Sequence, residues 1–383
     1  MTGTGNPTPR VEIHLDKLAH NARQLKRFFR ERNIRISAVV KGATADLAVA
    51  RTLISAGVRS LADSRVANIE KMKKAGLKAH FLLLRPPSSS EMEAAVRYAD
   101  MSFHTEIDTI RAVSAEALRQ NKVHPILLMV EMGDLREGIL KEDLPAFIEE
   151  VLKLKGVHLI GLGTNFACLN GVIPTEKKMK EFSTLVRAMR KRFSLELPVI
   201  SGGNSANYLW SLSTKDLGEV NHLRIGEALL LGRETVEGLA IPGLYQDAFR
   251  FVAEVIESRR KPSKPFGKQA KNAFGETVET KDIGPIQRII INAGRQDVAV
   301  SGLTPPRSLE IIGASSDHIV LHAKGGMIPV GSEIPFSMNY SALLSAMTSP
   351  YVHRQYIYSL TRRKDYSSDI PSTQKVSDSL SSY

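Results

Sequence analysis

What most constrains this chain is an alternation. Up to about residue 235, short apolar stretches recur with longer amphipathic stretches between them. The spacing predicts strands at "VEIHL" (11–15), "ISAVV" (36–40), "SLAD" (60–63), "AHFLLL" (79–84) and "DMSF" (100–103). It predicts more at "PILLMVE" (125–131), "VHLIGLG" (157–163), "LPVISGG" (197–203) and "NHLRIG" (221–226). Between them lie helical patterns such as "LAHNARQLKRFFRER", with apolar residues three and four apart. Repeated β-then-α units imply a parallel sheet. About eight of them in some 230 residues fit a closed (β/α)8 barrel better than an open sheet.

After residue 238 the pattern changes. "AFRFVAEVIESRR", "IQRIIINAG", "SLEIIGASSDHIVLHA" and "SEIPFSMNY" are short, β-branched and separated by turn-forming stretches, as in a small antiparallel β domain. The expected division is a disordered N-terminus over 1–10, the barrel over 11–237, the β domain over 238–357 and a disordered tail over 358–383. Hydrophobic content of 43% and charged content of 24% suit a soluble protein. No apolar run reaches a membrane span, and "MTGTGNPTPR" lacks a signal-peptide core. One cysteine, Cys168, excludes an internal disulfide and a cysteine-rich metal site. The expectation is a cytoplasmic protein with no bound metal. The net charge of +12 comes from basic residues interleaved with acidic ones along helix-like stretches, so no nucleic-acid partner is expected.

In such a barrel, chemistry sits at the C-terminal ends of the strands. That rim would hold Lys41, Arg136, Asn165, Cys168, Ser205 and Arg224. "VISGGNSAN" runs a strand into Gly202, Gly203, Asn204 and Ser205, where backbone and hydroxyl can approach an anion. Alone it would serve equally as a chain reversal. "NHLRIGEALLLGRE" adds Arg224, Gly226 and Glu227 after the next strand. Two such loops in succession, at the last two barrel strands, point to a phosphate site. A phosphate site and a rim lysine together suggest an aldehyde cofactor held by Lys41. Pyridoxal 5'-phosphate needs that lysine, a phosphate cradle and a partner for its ring nitrogen.

The sequence resembles the alanine racemase-like (fold-type III) pyridoxal-phosphate enzymes, with an N-terminal barrel and a C-terminal β domain, and most of all their alanine/ornithine racemase branch. The resemblance spans residues 11 to about 355. It rests on "AVVKG", "ADSRVANI", "GDLREG", "SGGNSANY", "LRIGEALLLGRE", "GASSDH" and "MNYSALL", in that order. It implies an amino-acid racemase in which Lys41 holds the cofactor and serves as one of two bases. It places Arg224 at the ring nitrogen, and Ser205, Gly226, Glu227 (through its backbone) and Tyr340 at the phosphate. Arg136 falls near the substrate carboxylate. Asp317 matches an aspartate brought by a second subunit, which implies a homodimer.

Three departures stand out. "AGRQDV" puts Arg295 where the family's alanine racemases carry the tyrosine that is their second base. Met129 occupies the place of a lysine that becomes carbamylated, and Asn165 that of a histidine facing the cofactor ring. Arg295 is a poor general acid and is expected to bind the substrate carboxylate. The second base is then sought in the Asp317–His318 pair, ranked slightly ahead, or in Cys168. Alternatives to a racemase are a decarboxylase on the same scaffold or a non-catalytic cofactor carrier. The substrate is of ornithine/lysine or alanine/serine type. A side-chain ammonium would need a carboxylate from Glu131, Asp134, Glu137 or Asp317.

Overall fold

The computed structural model describes residues 6–277 and 280–358. Strand β1 (Arg10–His14) leads into the helix Leu15–Arg30, which buries Leu18, Ala22, Leu25 and Phe29 along one face. Eight parallel strands follow: β2 (Arg35–Val39), β3 (Ser60–Asp63), β4 (His80–Leu83), β5 (Met101–His104), β6 (His124–Val130), β7 (Val157–Thr164), β8 (Val199–Ser201) and β9 (His222–Ile225). They close in sequence order, β9 returning to β2 with Arg35 opposite His222 and Ser37 opposite Arg224. Val39, Ala62, Leu82, Phe103, Leu127 and Met129 form an apolar cluster of their own among these strands. Gly163 on β7 makes room for two of them, since a Cβ would come within 2.7 Å of Leu127 and 2.8 Å of Met129 Sδ and force those side chains to shift. The carbamylated-lysine position is thus filled by an apolar side chain that packs against a strand glycine.

The second unit comprises β10 (Phe249–Pro262), β11 (Pro285–Ile291), β12 (Leu303–Thr304), β13 (Leu309–Ala314), β14 (Ile319–Ala323), β15 (Glu333–Met338) and β16 (His353–Ile357). Its order is β12-β15-β10-β11-β14-β13. A register shift between Val255 and Glu257 lets the long β10 pass from β15 to β11. All these pairings are antiparallel.

"VEIHL" corrects one expectation. β1 is not a barrel strand; it joins this second sheet, antiparallel to β10 and parallel to β16. Nine candidate strands were legible for eight barrel places, and periodicity says which face is buried, not which strand is the partner. Val11 and Ile13 are fully buried, while Arg10 reaches across to Glu333 of β15 with two bonds of 2.7 Å. The disorder expected over 1–10 therefore fails for its last residues: Thr8 takes a bond from Asn292 (2.9 Å) and Pro9 one from His353 (3.0 Å). Residues 1–5, and the expected tail from 359 onward, lie outside the described residues. Among the described residues, no helix is long and apolar enough to cross a membrane.

One hydrophobic core runs through both units. The helix Tyr340–Thr348, capped by Asn339, packs beside the turn that carries Lys41, and a Cβ on Gly42 would lie 3.0 Å from the Tyr340 ring. Asp46 ties the same turn to β16. One oxygen caps the helix Leu47–Ser55 at Ala48 and Val49, and the other accepts from Tyr356 (2.6 Å) and Arg354 (3.3 Å).

Candidate active site

A cavity of about 590 Å³ opens at the C-terminal ends of the barrel strands. Lys41, Arg136, Asn165, Cys168, Ser205, Arg224, Gly226, Glu227 and Tyr340 all line it. Nine residues singled out from sequence thus meet in one place, brought from β2, β6, β7, β8, β9 and the second unit. Arg295, Asp317 and His318 do not line it.

Lys41 begins a short 3-10 turn directly after β2 and is half-buried at the cavity wall. Across from it, Ser205 Oγ accepts from the backbone N–H of Gly226 (3.3 Å) and of Ala228 (3.2 Å). The Glu227 N–H between them has no acceptor among the described residues. Gly203, at φ +143°, makes the preceding turn; a Cβ there would strike Asn207 Oδ1 at 2.0 Å. Thr235 Oγ1, which also lines the cavity, is buried without a partner among the described residues. Burial pushes the Tyr340 phenol up to about 12, so it stays a donor at neutral pH. A hydroxyl, an unpaired buried hydroxyl, a phenol and a free N–H converging on one wall suit a phosphate group.

Arg224 is 4% exposed and surrounded by acceptors. Nη1 donates to the carbonyl (3.3 Å) and hydroxyl of Ser201, and Nη2 to Thr164 O (2.8 Å) and Asn165 Oδ1 (2.6 Å). Those four bonds use all four terminal hydrogens, leaving Nε–H as the donor without a partner among the described residues. The Phe103 ring lies 5.2 Å from the guanidinium carbon. Burial lowers the Arg224 pKa to about 10, which still leaves it charged at neutral pH.

Asn165 completes a bridge by donating to Glu137 Oε1 at 2.7 Å, and Glu137 holds Arg136 through two short contacts. That pairing raises the Arg136 pKa, and it supplies the anion that Met129 cannot. Sequence reasoning had treated Glu137 only as a possible partner for a substrate ammonium; its adjacency to Arg136 was the available signal. Two other carboxylates considered for that task are occupied. Asp134 is 2% exposed and accepts backbone N–H bonds from Cys168, Leu169, Asn170 and Val172. Glu131 caps its own turn at Gly133 and Leu135. Glu227 presents a carboxyl pushed up to about 7, first by burial and then by Glu234. Cys168 Sγ takes a bond from Asn204 Nδ2 at 3.5 Å.

The remaining candidates form a second, exposed group. The "AGRQDV" loop packs on the "GASSDH" turn: Arg295 N bonds Ser315 O at 3.0 Å and Gln296 N bonds Ser316 O at 2.9 Å. Asp317 receives Ser315 and Ser316 hydroxyls and lies 3.0 Å from His318 Nδ1, a contact that lowers its pKa. Arg295 grips Glu276 with bonds of 2.8 and 2.7 Å and stacks 4.1 Å from the Phe274 ring centre. Neither Phe274 nor Glu276 carried a sequence signal, because only the fold brings their long β10–β11 connection over Arg295.

A closed barrel with a rim lysine, a phosphate wall and a cationic donor facing the cavity defines a pyridoxal-phosphate enzyme of the barrel class. The family model "Alanine racemase, N-terminal domain" matches residues 13–234. An ornithine racemase of Acetoanaerobium sticklandii is 38% identical over 354 residues, covering 91% of this chain and 99% of that protein. A lysine racemase of Thermotoga maritima is 38% identical over 351 residues, covering 91% and 98%. Among solved structures, an alanine racemase of Streptomyces lavendulae superposes with a TM-score of 0.72 at 16% identity, covering 93% of this chain and 99% of that one. That likeness concerns the fold alone. The chain belongs to the alanine racemase family, and its activity is pyridoxal-phosphate-dependent amino-acid racemisation.

Proposed function

We propose that the protein interconverts the L- and D-forms of a diamino acid of the ornithine–lysine type, as a homodimer whose active sites lie at the subunit interface. The observation that carries the reading is the meeting of Lys41, the Ser205–Glu227 wall and Arg224 in one cavity. The substrate class follows the two relatives at 38% identity, which are an ornithine and a lysine racemase. A single cysteine fits a cytoplasmic location.

When bound, pyridoxal phosphate acidifies the α-hydrogen of an amino acid joined to its aldehyde carbon. Lys41 would hold that carbon between turnovers and carry the α-proton on its own face. Ser205 Oγ, the Glu227 N–H and Tyr340 would hold the phosphate, and Gly226, whose N–H is engaged by Ser205 Oγ, would shape the loop beside it. Arg224 would offer Nε–H to the ring nitrogen, and its charge would keep a proton off that nitrogen, limiting electron withdrawal and favouring proton exchange alone. Asn165 fixes Arg224, and Glu137 aims Arg136 at the substrate carboxylate.

The opposite face needs a second proton carrier. Asp317 is exposed, His318 is half-buried, and both sit beside Arg295, so a second subunit can present all three together. In this reading Arg295 exchanges Glu276 for the substrate carboxylate, and the Asp317–His318 pair carries the proton. Cys168 is the competing carrier, since it lines the cavity within one chain.

Incubation with single L-amino acids and chiral chromatography tests the activity. Rapid formation of D-ornithine or D-lysine, with little D-alanine or D-serine, is the expected result. Preference for alanine overturns the substrate class; an amine product means a decarboxylase, and no change means a carrier. One-sided loss of deuterium exchange in Cys168→Ala, Asp317→Asn or His318→Gln identifies the second carrier. Exchange from both enantiomers in all three variants removes both candidates.

A further inference from the structure

Behind Arg224 a file of buried polar side chains leads away from the cavity, through the barrel, to its opposite end. Arg224 Nη1 donates to Ser201 Oγ. Ser201 Oγ lies 2.8 Å from His222 Nδ1, His222 Nε2 lies 2.8 Å from Ser37 Oγ, and Ser37 Oγ lies 2.7 Å from Ser60 Oγ. His222 and Arg224 are two apart on β9 and so share a face. Ser201 sits opposite His222 on β8, and Ser37 opposite Arg224 on β2. Ser37, Ser60 and His222 line a cavity at the N-terminal ends of the strands.

The hydrogens in this file have one consistent order. Arginine is only a donor, so Ser201 Oγ accepts from Arg224. Among the described residues the one other group bonded to that hydroxyl is His222 Nδ1, so the Ser201 hydrogen points there and Nδ1 accepts. Burial, helped by Arg224, holds His222 at about 3, so the ring is neutral and its single hydrogen sits on Nε2. Nε2–H then donates to Ser37, and Ser37 to Ser60, whose hydroxyl reaches the lower opening. The reverse order would leave the Ser201 hydrogen buried without an acceptor.

We propose that His222 is a positioning residue for Arg224. As a neutral acceptor at Nδ1 it turns the Ser201 hydroxyl so that a lone pair faces the guanidinium, which fixes the fork and aims Nε–H at the cofactor ring. The inference rests on the reading of Arg224 as the ring-nitrogen donor. His222 itself touches neither cofactor nor substrate.

The test uses the cofactor-loaded enzyme and reads the absorption maximum of bound pyridoxal phosphate beside kcat and KM. Arg224→Lys reports on the underlying reading. An unshifted band there sinks the role of Arg224 itself. If that band moves, Ser201→Ala and His222→Leu are expected to move it in the same direction and to lower kcat roughly tenfold, with KM changed less than about twofold. His222→Asn keeps an acceptor near the Nδ1 position and is expected to stay close to the native spectrum and rate. Should His222→Leu fail to fold, Ser201→Ala and His222→Asn decide between them. A native band and kcat in Ser201→Ala, or an asparagine variant as impaired as Ser201→Ala, overturns the proposal.

Discussion

The cavity at the barrel end and the turn that carries Asp317 hold their charges in opposite ways. In the cavity, Arg224 is enclosed by four acceptors drawn from β7, β8 and the loop after β7, and Asn165 and Glu137 extend the network to Arg136. At the turn, Asp317 and Arg295 are solvent-facing and are held by near neighbours or by the long connection that carries Glu276. The bonds around Arg224 are complete within one chain, and desolvation makes each of them costly to lose. The second is made of exposed pairs worth little on their own, which can be exchanged cheaply for new partners. In the proposed dimer, the first would serve as the preorganised half of the site and the second as its exchangeable half.

Lys41→Ala strikes the preorganised half hardest. It should lower racemisation on the order of a thousandfold or more, since it removes both the cofactor anchor and one proton carrier. Borohydride reduction and peptide mapping of the native enzyme should place the pyridoxyl group on Lys41; another lysine would break the comparison at its root.

Asp317→Ala should also be nearly inactive. Mixing it with Lys41→Ala under subunit exchange should restore roughly a quarter of native activity, because half the dimers would carry one intact site. No recovery, or a fully active monomer by sedimentation, means the exposed half works within its own chain.

Glu137→Gln should sharpen the comparison at intermediate scale. Loss of the anion that orients Arg136 and Asn165 should raise KM roughly tenfold, with a smaller change in kcat. An unchanged KM would show that Arg136 does not need its partner.

The last effect concerns Glu227 and is read in stability rather than in turnover. Its folded-state pKa of about 7 lies above its ordinary value of 4.5, so the fold favours the protonated form. The stability tied to that proton is fully present below about pH 4.5 and is lost as pH rises through 7. Denaturant melts of the cofactor-free protein should show native stability falling by about 2 kcal/mol relative to Glu227→Gln over that window. A constant difference would mean the carboxyl is not desolvated.

Much of this was legible in the sequence because barrel chemistry gathers where strands end, and β-then-α alternation marks those ends. Lys41, Ser205 and Arg224 could be placed together on that rule before any coordinate. What stayed hidden depends on pairing across strands. The sheet that β1 joins, the serines flanking His222 and the Glu137 anchor follow from register and loop placement. A polar residue two before Arg224 in an otherwise apolar strand was the visible trace of the file behind it.

The pairing of β1 also bears on how the protein is made. β1 leaves the ribosome before its partners, and Arg10 ends up opposite both Val252 and His353. At translation rates of 5–20 residues per second, it waits roughly half a minute for its second neighbour. The barrel strands can close meanwhile, since none of them needs β1. Asp46, beside the lysine turn, receives Tyr356 and Arg354 at that same late moment. The loop that carries Lys41 is therefore locked only once β16 has been made, so a nascent barrel lacks a fully set lysine until its β domain has been completed.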